Sequence, residues 1–140
     1  MEAGEYLKVL FDTSVLIDIL KGKKEAVSKV EELKEKSEFY TSSINVYEIL
    51  RGIMVIKSKS DQKIHMAAMD TLLTSIHILD FDIAASEKSS IIYSELRQKG
   101  IKIDEDDYLI AGICISNGID MLITRDRHFE SVTQLKSVRY

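Results

Sequence analysis

The stretch that decides the fold is LKVLFDTSVLID at residues 7–18, an apolar run that ends on an aspartate. Residues 7–12 are apolar and β-branched and predict a buried strand. Residues 13–20 predict a helix, with Thr13 or Ser14 able to cap it. Asp12 therefore follows a core strand directly, in a place where a charge is costly unless something compensates it.

Strand and helix patterns alternate along the rest of the chain. Strands that alternate with helices pair in parallel through crossovers, so the sequence predicts an α/β three-layer sandwich, with a central parallel sheet of about five strands flanked by helices. We expect a single domain over residues 1–140. The further predicted strands lie at 38–41, 76–79, 120–124 and 135–138. The further predicted helices lie at 23–36, 44–56, 62–74, 82–99 and 106–117, and Ser42 or Ser43 is expected to cap the one at 44–56.

Composition excludes several classes of protein. The net charge of −4 argues against a protein that coats nucleic acid with positive surface, although not against an enzyme that handles nucleic acid through metal ions. One cysteine, Cys114, excludes an internal disulfide framework. The N-terminal stretch MEAGEYLKVLF has no basic region of a signal peptide, and the apolar runs fall short of the ~20 residues of a membrane span. We therefore expect a cytoplasmic protein without a membrane segment.

Four acids occupy places that meet at one edge of such a sheet. Asp12 and Asp126 follow strands, and the carboxyl ends of parallel strands form the functional crevice. Glu48 and Asp107 lie near the beginnings of helices that start at this edge. Clustered carboxylates favour a hard divalent cation such as Mg²⁺, which can promote attack of water on a phosphodiester. Hydroxyls for supporting hydrogen bonds are predicted at Thr13, Ser14 and Thr124.

Single residues in this set have simpler explanations. An acid near a helix start is more often a cap or a partner of the helix dipole, so only the joint pattern predicts a site. We expect Asp18, the second acid of the opening stretch, to be solvated. His65, His77 and His128 show no ligand spacing, and we expect none of them to be catalytic.

Four blocks of the sequence resemble the PIN domain family, and specifically its small VapC-type toxins. FDTSVLIDIL resembles the opening strand with its D-[ST]-[SN] segment, and SSINVYEILRG resembles the second block, which ends on E-[LI]-x-x-G. DDYLIAGICISNGIDMLITRDRHF resembles the third and fourth blocks. Each block is weak alone, but together they cover nearly the whole chain in the family's order.

The resemblance implies a role for each matching position. The family's metal-binding acids correspond to Asp12, Glu48, Asp107 and Asp126. Asp106 competes with Asp107 for the third position, and Asp104 is a more distant competitor. Ser14 and Thr124 match the supporting hydroxyls. Arg51, one helical turn beyond Glu48, is a candidate to pair with a site acid or to touch a phosphate.

The resemblance also implies an activity and partners. Family members are Mg²⁺- or Mn²⁺-dependent endoribonucleases and are commonly homodimers, and the toxins are inhibited by a VapB-like antitoxin that inserts into the active-site groove. Two alternatives stay open at this point. One is another α/β phosphotransfer protein of the receiver or haloacid-dehalogenase type, which also places Asp at strand ends around Mg²⁺. The other is a non-catalytic PIN-type binding module.

Overall fold

The computed structural model describes residues 5–140, and its centre is a sheet of five parallel strands. The spatial order is β3-β2-β1-β4-β5, so the first strand lies in the middle. The predicted parallel sheet of about five strands is confirmed. The strands are β1 (Leu7–Phe11), β2 (Ser37–Ser42), β3 (His77–Leu79), β4 (Met121–Ile123) and β5 (Ser137–Val138).

Helices cover both faces of this sheet, as the three-layer prediction requires. The side chains of β1 alternate between the faces, as they must in a strand. Val9 and Phe11 belong to one buried cluster and Leu10 to another. The helices are α1 (Thr13–Leu20), α2 (Lys24–Leu33), α3 (Ser43–Met54), α4 (Lys59–Leu73), α5 (Ile83–Gln98) and α6 (Glu105–Ser116), with a 3₁₀ helix at Arg127–Ser131.

Helix starts differ in part from the predictions. Ser42 caps α3, and its hydroxyl accepts a hydrogen bond from the backbone N–H of Asn45 at 3.2 Å, as expected. The predicted cap of α1 by Thr13 or Ser14 is wrong, because Asp12 itself takes the cap position and makes no side-chain cap bond. Helix α4 begins at Lys59, three residues before the predicted start at 62. Ser58 caps its first turn, and the polar residues of that turn do not show a helical pattern of apolar side chains.

The structure bears on three features discussed from composition: Cys114, membrane spans and the N-terminal stretch. Cys114 is fully buried in α6, in agreement with a core position. Across residues 5–140, none of the helices has the length and apolar character needed to cross a membrane. The expectation about a signal peptide rests partly on residues 1–4, which lie outside the described residues.

Gly112 sets how closely α6 approaches α5. A Cβ atom at this position would collide with the hydroxyl of Ser89 and lie 2.6 Å from the carbonyl oxygen of Ala85. The Ser89 hydroxyl donates a hydrogen bond of 2.8 Å to the carbonyl of Tyr108, so it is not free to move away. This contact holds α6, and with it Asp107 in its first turn, at a fixed distance from α5.

We expect Gly112→Ala to lower the free energy of unfolding by about 2 kcal/mol, because overpacking displaces α5 from α6. Gly52→Ala is the matched control, since Gly52 is also helical and has open space around its Cα. Alanine should raise the stability there by up to about 1 kcal/mol through helix propensity. Urea denaturation measures both changes, and a Gly112→Ala protein as stable as the wild type would contradict the close approach.

Candidate functional site

A cleft of about 840 Å³ opens at the carboxyl edge of the sheet. Seven acids and two arginines line it, so it is polar and rich in negative charge. The four acids singled out from the sequence all lie in its wall. The lining residues are Asp12, Thr13, Ser14, Ile17, Glu48, Arg51, Asp104, Glu105, Asp106, Asp107, Arg125 and Asp126.

Asp12 is buried at the base of the cleft, with only 6% of the residue exposed. Its Oδ2 accepts a hydrogen bond from the Thr124 hydroxyl at 2.7 Å, and its Oδ1 accepts one from the side-chain amide of Asn45 at 2.9 Å. Burial raises the pKa of Asp12, and these hydrogen bonds offset part of the rise. The carboxylate is therefore fixed in orientation by two donors that come from distant parts of the chain.

Glu48 faces the same cleft from the second turn of α3. The Thr13 hydroxyl donates a hydrogen bond to its Oε1 at 2.7 Å, and this hydroxyl also accepts one from Asn45 at 3.0 Å. Burial raises the pKa of Glu48, and the negative charges of Asp12 and Asp106 add to the rise. A chain of hydrogen bonds thus joins Glu48 to Asp12 through Thr13 and Asn45.

Asp107 lies in the first turn of α6 and is paired with a histidine. Nδ1 of His128 lies 2.9 Å from Asp107 Oδ2 and 3.3 Å from Asp126 Oδ1. Burial raises the pKa of Asp107 to about 7; the hydrogen bond to His128 opposes this rise, and the charges of Asp126 and Asp12 favour it. The hydrogen bond to Asp107 raises the pKa of His128 in turn.

The two competitors of Asp107 have different neighbours. Asp106 lies near Glu48, and its negative charge helps to raise the pKa of that carboxyl. Asp104 occupies the cap position of α6 and is exposed, and its Oδ2 lies 3.9 Å from Nδ1 of His128. Three atoms that could bind a metal ion lie within 4.8 Å of one another: a carboxylate oxygen of Asp104, one of Asp107 and a ring nitrogen of His128. All three acids are thus in the cleft, and Asp107 is the buried one.

The predicted supporting residues make different contacts. Thr13 and Thr124 donate to site carboxylates, as described above. Ser14 accepts a hydrogen bond of 3.3 Å from the backbone N–H of Arg125, and among residues 5–140 its hydroxyl has no carboxylate partner. The guanidinium of Arg51 lies 5.1 Å from the centre of the Tyr47 ring, and within the described part of the chain it forms no ion pair with a site acid.

Sequence reasoning missed Asn45 and His128 in this site, and it gave a wrong environment for Asp18, which is not among the residues that line the cleft. Asn45 precedes Glu48 by three residues on α3, and that helical spacing was the available signal. His128 follows Asp126 by two residues, but only the fold brings it to Asp107. The expectation that Asp18 is solvated is wrong, because its side chain is 3% exposed and is paired with Lys23 and Arg125.

A comparison with known protein families identifies the family of this fold. The profile of the PIN domain matches residues 9–135, which is most of the chain. The chain belongs to the PIN domain family. The resemblance predicted from the four sequence blocks is therefore confirmed, and the receiver and dehalogenase alternatives are excluded.

Curated relatives of this PIN domain include ribonucleases from bacteria and archaea. It is 28% identical over 131 residues to the tRNA(fMet)-specific endonuclease VapC of Shigella flexneri, a match that covers 94% of the chain and 96% of the relative. It is 30% identical over 130 residues to Ribonuclease VapC1 of Methanocaldococcus jannaschii, covering 93% of the chain and 85% of the relative.

Solved structures of toxin–antitoxin complexes contain similar chains. A chain of the DNA-bound VapBC from Salmonella typhimurium aligns with a TM-score of 0.81 at 27% identity, covering 95% of this PIN domain and 98% of that chain. A chain of VapBC2 from Rickettsia felis, bound to a promoter DNA fragment, aligns with a TM-score of 0.85 at 23% identity, covering 96% and 99%. At 23% identity, the similarity to the Rickettsia felis chain shows a shared fold only.

The raised pKa of Asp107 makes the stability of the metal-free protein depend on pH. The folded state keeps this proton up to about pH 7, whereas the unfolded chain releases it near 3.8. Since the folded state binds more protons in this interval, the contribution is fully present below about pH 4 and is lost as pH rises through about 7. We expect a loss on the order of 2 kcal/mol.

Urea denaturation at a series of pH values in the presence of a chelator measures this effect. Asp107→Asn should make the downward slope in stability between about pH 4 and about pH 7 shallower, and the part that remains comes from Asp12 and Glu48, whose pKa values are also raised. Asp70→Asn is the control, since Asp70 is an exposed acid of α4, and it should keep the slope. Equal slopes in the two variants would show that Asp107 does not hold the proton.

Proposed function

We propose that this PIN domain is a metal-dependent endoribonuclease and the toxin of a VapBC-type toxin–antitoxin pair. The observation that carries the proposal is the convergence of Asp12, Glu48, Asp107 and Asp126 in one cleft at the carboxyl edge of the sheet. The curated relatives that match over nearly the whole chain are VapC ribonucleases, which supports RNA as the substrate.

The chemistry of the cleft fits Mg²⁺ or Mn²⁺. Burial raises the pKa values of Asp12, Glu48 and Asp107, so the protein alone compensates their charge only in part. Carboxylate oxygens are the ligands that these hard cations prefer. The residues proposed to hold the ion are Asp12, Glu48, Asp107 and Asp126, with Asp104, Asp106 and His128 at its margin.

The neighbouring side chains orient these ligands. Thr124 and Asn45 each occupy one hydrogen-bonding position on the two oxygens of Asp12, and carboxylate oxygens accept more than one bond each. Thr13 fixes Glu48 in the same way, and His128 fixes Asp107. A divalent cation bound here supplies positive charge to the phosphodiester and promotes attack by water. We propose that cleavage proceeds without a covalent intermediate on the protein.

An apolar groove beside the cleft supports a protein partner. It has a volume of about 450 Å³ and shares Ile17 and Glu48 with the wall of the cleft. We propose that a segment of a VapB-like antitoxin fills it and reaches the acids, and that the toxin itself is a homodimer acting in the cytoplasm. The apolar side chains of the groove are Ile17, Leu20, Ile49, Ile53, Ile56, Ile64 and Ala68.

RNA cleavage by the purified protein tests the activity. Labelled single-stranded RNA should be cut in the presence of Mg²⁺ or Mn²⁺ and should stay intact with chelator. Asp12→Asn should lower the rate by about a thousandfold or more, because the ligand that anchors the site loses its charge. Asp70→Asn, the same change at an exposed position of α4, should cut like the wild type.

The outcome separates the nuclease from a non-catalytic PIN module. Cutting that ignores chelator, or that survives Asp12→Asn, would contradict the metal mechanism. A pure protein that fails to bind Mn²⁺ in calorimetry and cuts no RNA would favour the binding module.

Asn45→Ala tests the orientation of Asp12 separately from its charge. Removing the amide leaves Asp12 Oδ1 and the Thr13 hydroxyl without this donor, and we expect the cleavage rate to fall about tenfold or more, as for other outer-shell partners of metal ligands. Asn117→Ala is the control, since the side-chain amide of Asn117 donates to the Ile113 carbonyl and the Ser116 hydroxyl at the end of α6, away from the site acids. A loss of cleavage that is equal in both variants would show that Asn45 has no specific role.

A further inference from the structure

Asp18 is a buried carboxylate that the proposed metal site does not use. Its side chain lies on α1 and is 3% exposed. Its Oδ2 accepts a hydrogen bond of 2.6 Å from the hydroxyl of Tyr140 and lies 3.2 Å from Nε of Arg125, while its Oδ1 lies 3.8 Å from Nζ of Lys23. Burying a charge is costly even when it is paired, so a contribution to stability is a weak explanation for this ion pair.

The ion pair instead positions Arg125, which α1 contacts at two points. Its guanidinium meets Asp18, and its backbone N–H donates a hydrogen bond to the hydroxyl of Ser14, one helical turn earlier. Arg125 lies between Thr124, which bonds Asp12, and Asp126. Holding Arg125 on α1 therefore also fixes the loop that supplies two residues of the site.

Arg125 is a cation in the wall of a cleft otherwise dominated by acids. Its side chain is 48% exposed, and among residues 5–140 Asp18 is the acid that pairs with it. With Nε engaged by Asp18, the two terminal nitrogens keep their donors for an anion, and arginine binds phosphate oxygens with this pair. Because one end is already fixed, less side-chain entropy is lost when the anion binds.

The two nearby arginines lack this arrangement. Arg51 also lines the cleft, but its guanidinium lies over the Tyr47 ring and no acid in the described residues holds it. Arg127 is exposed and lies outside the lining of the cleft. Arg125 is thus the cleft arginine whose position is set in advance by a buried carboxylate.

We propose that Arg125 binds a phosphate of the RNA in the cleft, and that Asp18 and Tyr140 are positioning residues that act through it. The proposal rests on the proposed ribonuclease function and assigns a contact to the substrate within it. Arg125 touches the RNA, whereas Asp18 and Tyr140 fix the direction of its guanidinium.

Cleavage kinetics on a single-stranded RNA oligonucleotide test the contact. Arg125→Gln should raise KM about tenfold or more and change kcat less. The charge-assisted bond to the substrate is lost equally in the bound ground state and in the transition state, and such a loss raises KM more than it lowers kcat. Arg127→Gln removes the same charge two residues away and should change both constants less than about twofold. Equal effects of the two variants would overturn the proposal.

A double variant guards against a folding artefact. Arg125→Gln leaves the buried carboxylate of Asp18 with fewer partners, so a loss of activity could come from a destabilised fold. Asp18→Asn together with Arg125→Gln removes both charges and should show the same rise in KM, with a thermal midpoint closer to that of the wild type. A double variant with the KM of Arg127→Gln would overturn the proposal.

The salt dependence of RNA binding separates contact from positioning. In the inactive Asp12→Asn background, fluorescence anisotropy gives the slope of log Kd against log salt concentration. Arg125→Gln should lower the steepness of that slope by about 0.7, the loss of one phosphate contact on a single strand. Tyr140→Phe should weaken binding and keep the slope, because Arg125 retains its charge. A slope unchanged by Arg125→Gln would overturn the contact.

A failure of this proposal is distinguishable from a failure of the proposed function. A wild-type protein that cuts no RNA would overturn the ribonuclease proposal itself. A wild type that cuts RNA, with Arg125→Gln behaving like Arg127→Gln, would leave the ribonuclease in place and remove only the role of Arg125.

Discussion

The carboxylate of Asp12 is held between the Thr124 hydroxyl and the Asn45 amide, at 2.7 and 2.9 Å. These donors come from the end of β4 and the first turn of α3, so two hydrogen bonds tie three elements together at one edge of the sheet. The pairing of β1 with β4 brings Thr124 into place. A displacement of either neighbour would remove one of the two donors that hold this buried carboxylate, so the order of the strands and the geometry of the site depend on each other.

Negative charge is the second constraint on this site. The pKa values of Asp12, Glu48 and Asp107 are all raised, because burial and neighbouring acids oppose ionisation. The fold therefore gives up stability at neutral pH in order to keep these carboxylates close together. Binding of a divalent cation in the cleft, as proposed above, would offset the repulsion between these carboxylates and recover part of that free energy.

The acids of the site were predictable because their positions follow from topology. Asp12 and Asp126 come after strands, and parallel strands bring such residues to one edge whatever the packing details. His128 and Asp18 could not be placed in the same way, because their roles depend on distances between elements that the local pattern does not encode. The hydroxyl that reaches Asp18 belongs to a residue 122 positions further along the chain.

Strand order also has a consequence for the timing of synthesis. β1 is the first strand made, yet its neighbour β4 comes from residues 121–123, and the Thr124 and Asp126 side chains follow it. A chain emerging from the ribosome at roughly 5–20 residues per second holds Asp12 and Glu48 for several seconds before these partners exist. The cleft is therefore completed only after β4 and the segment that carries Thr124 and Asp126 have been synthesised, so a nascent chain that stops before them lacks two residues of the site.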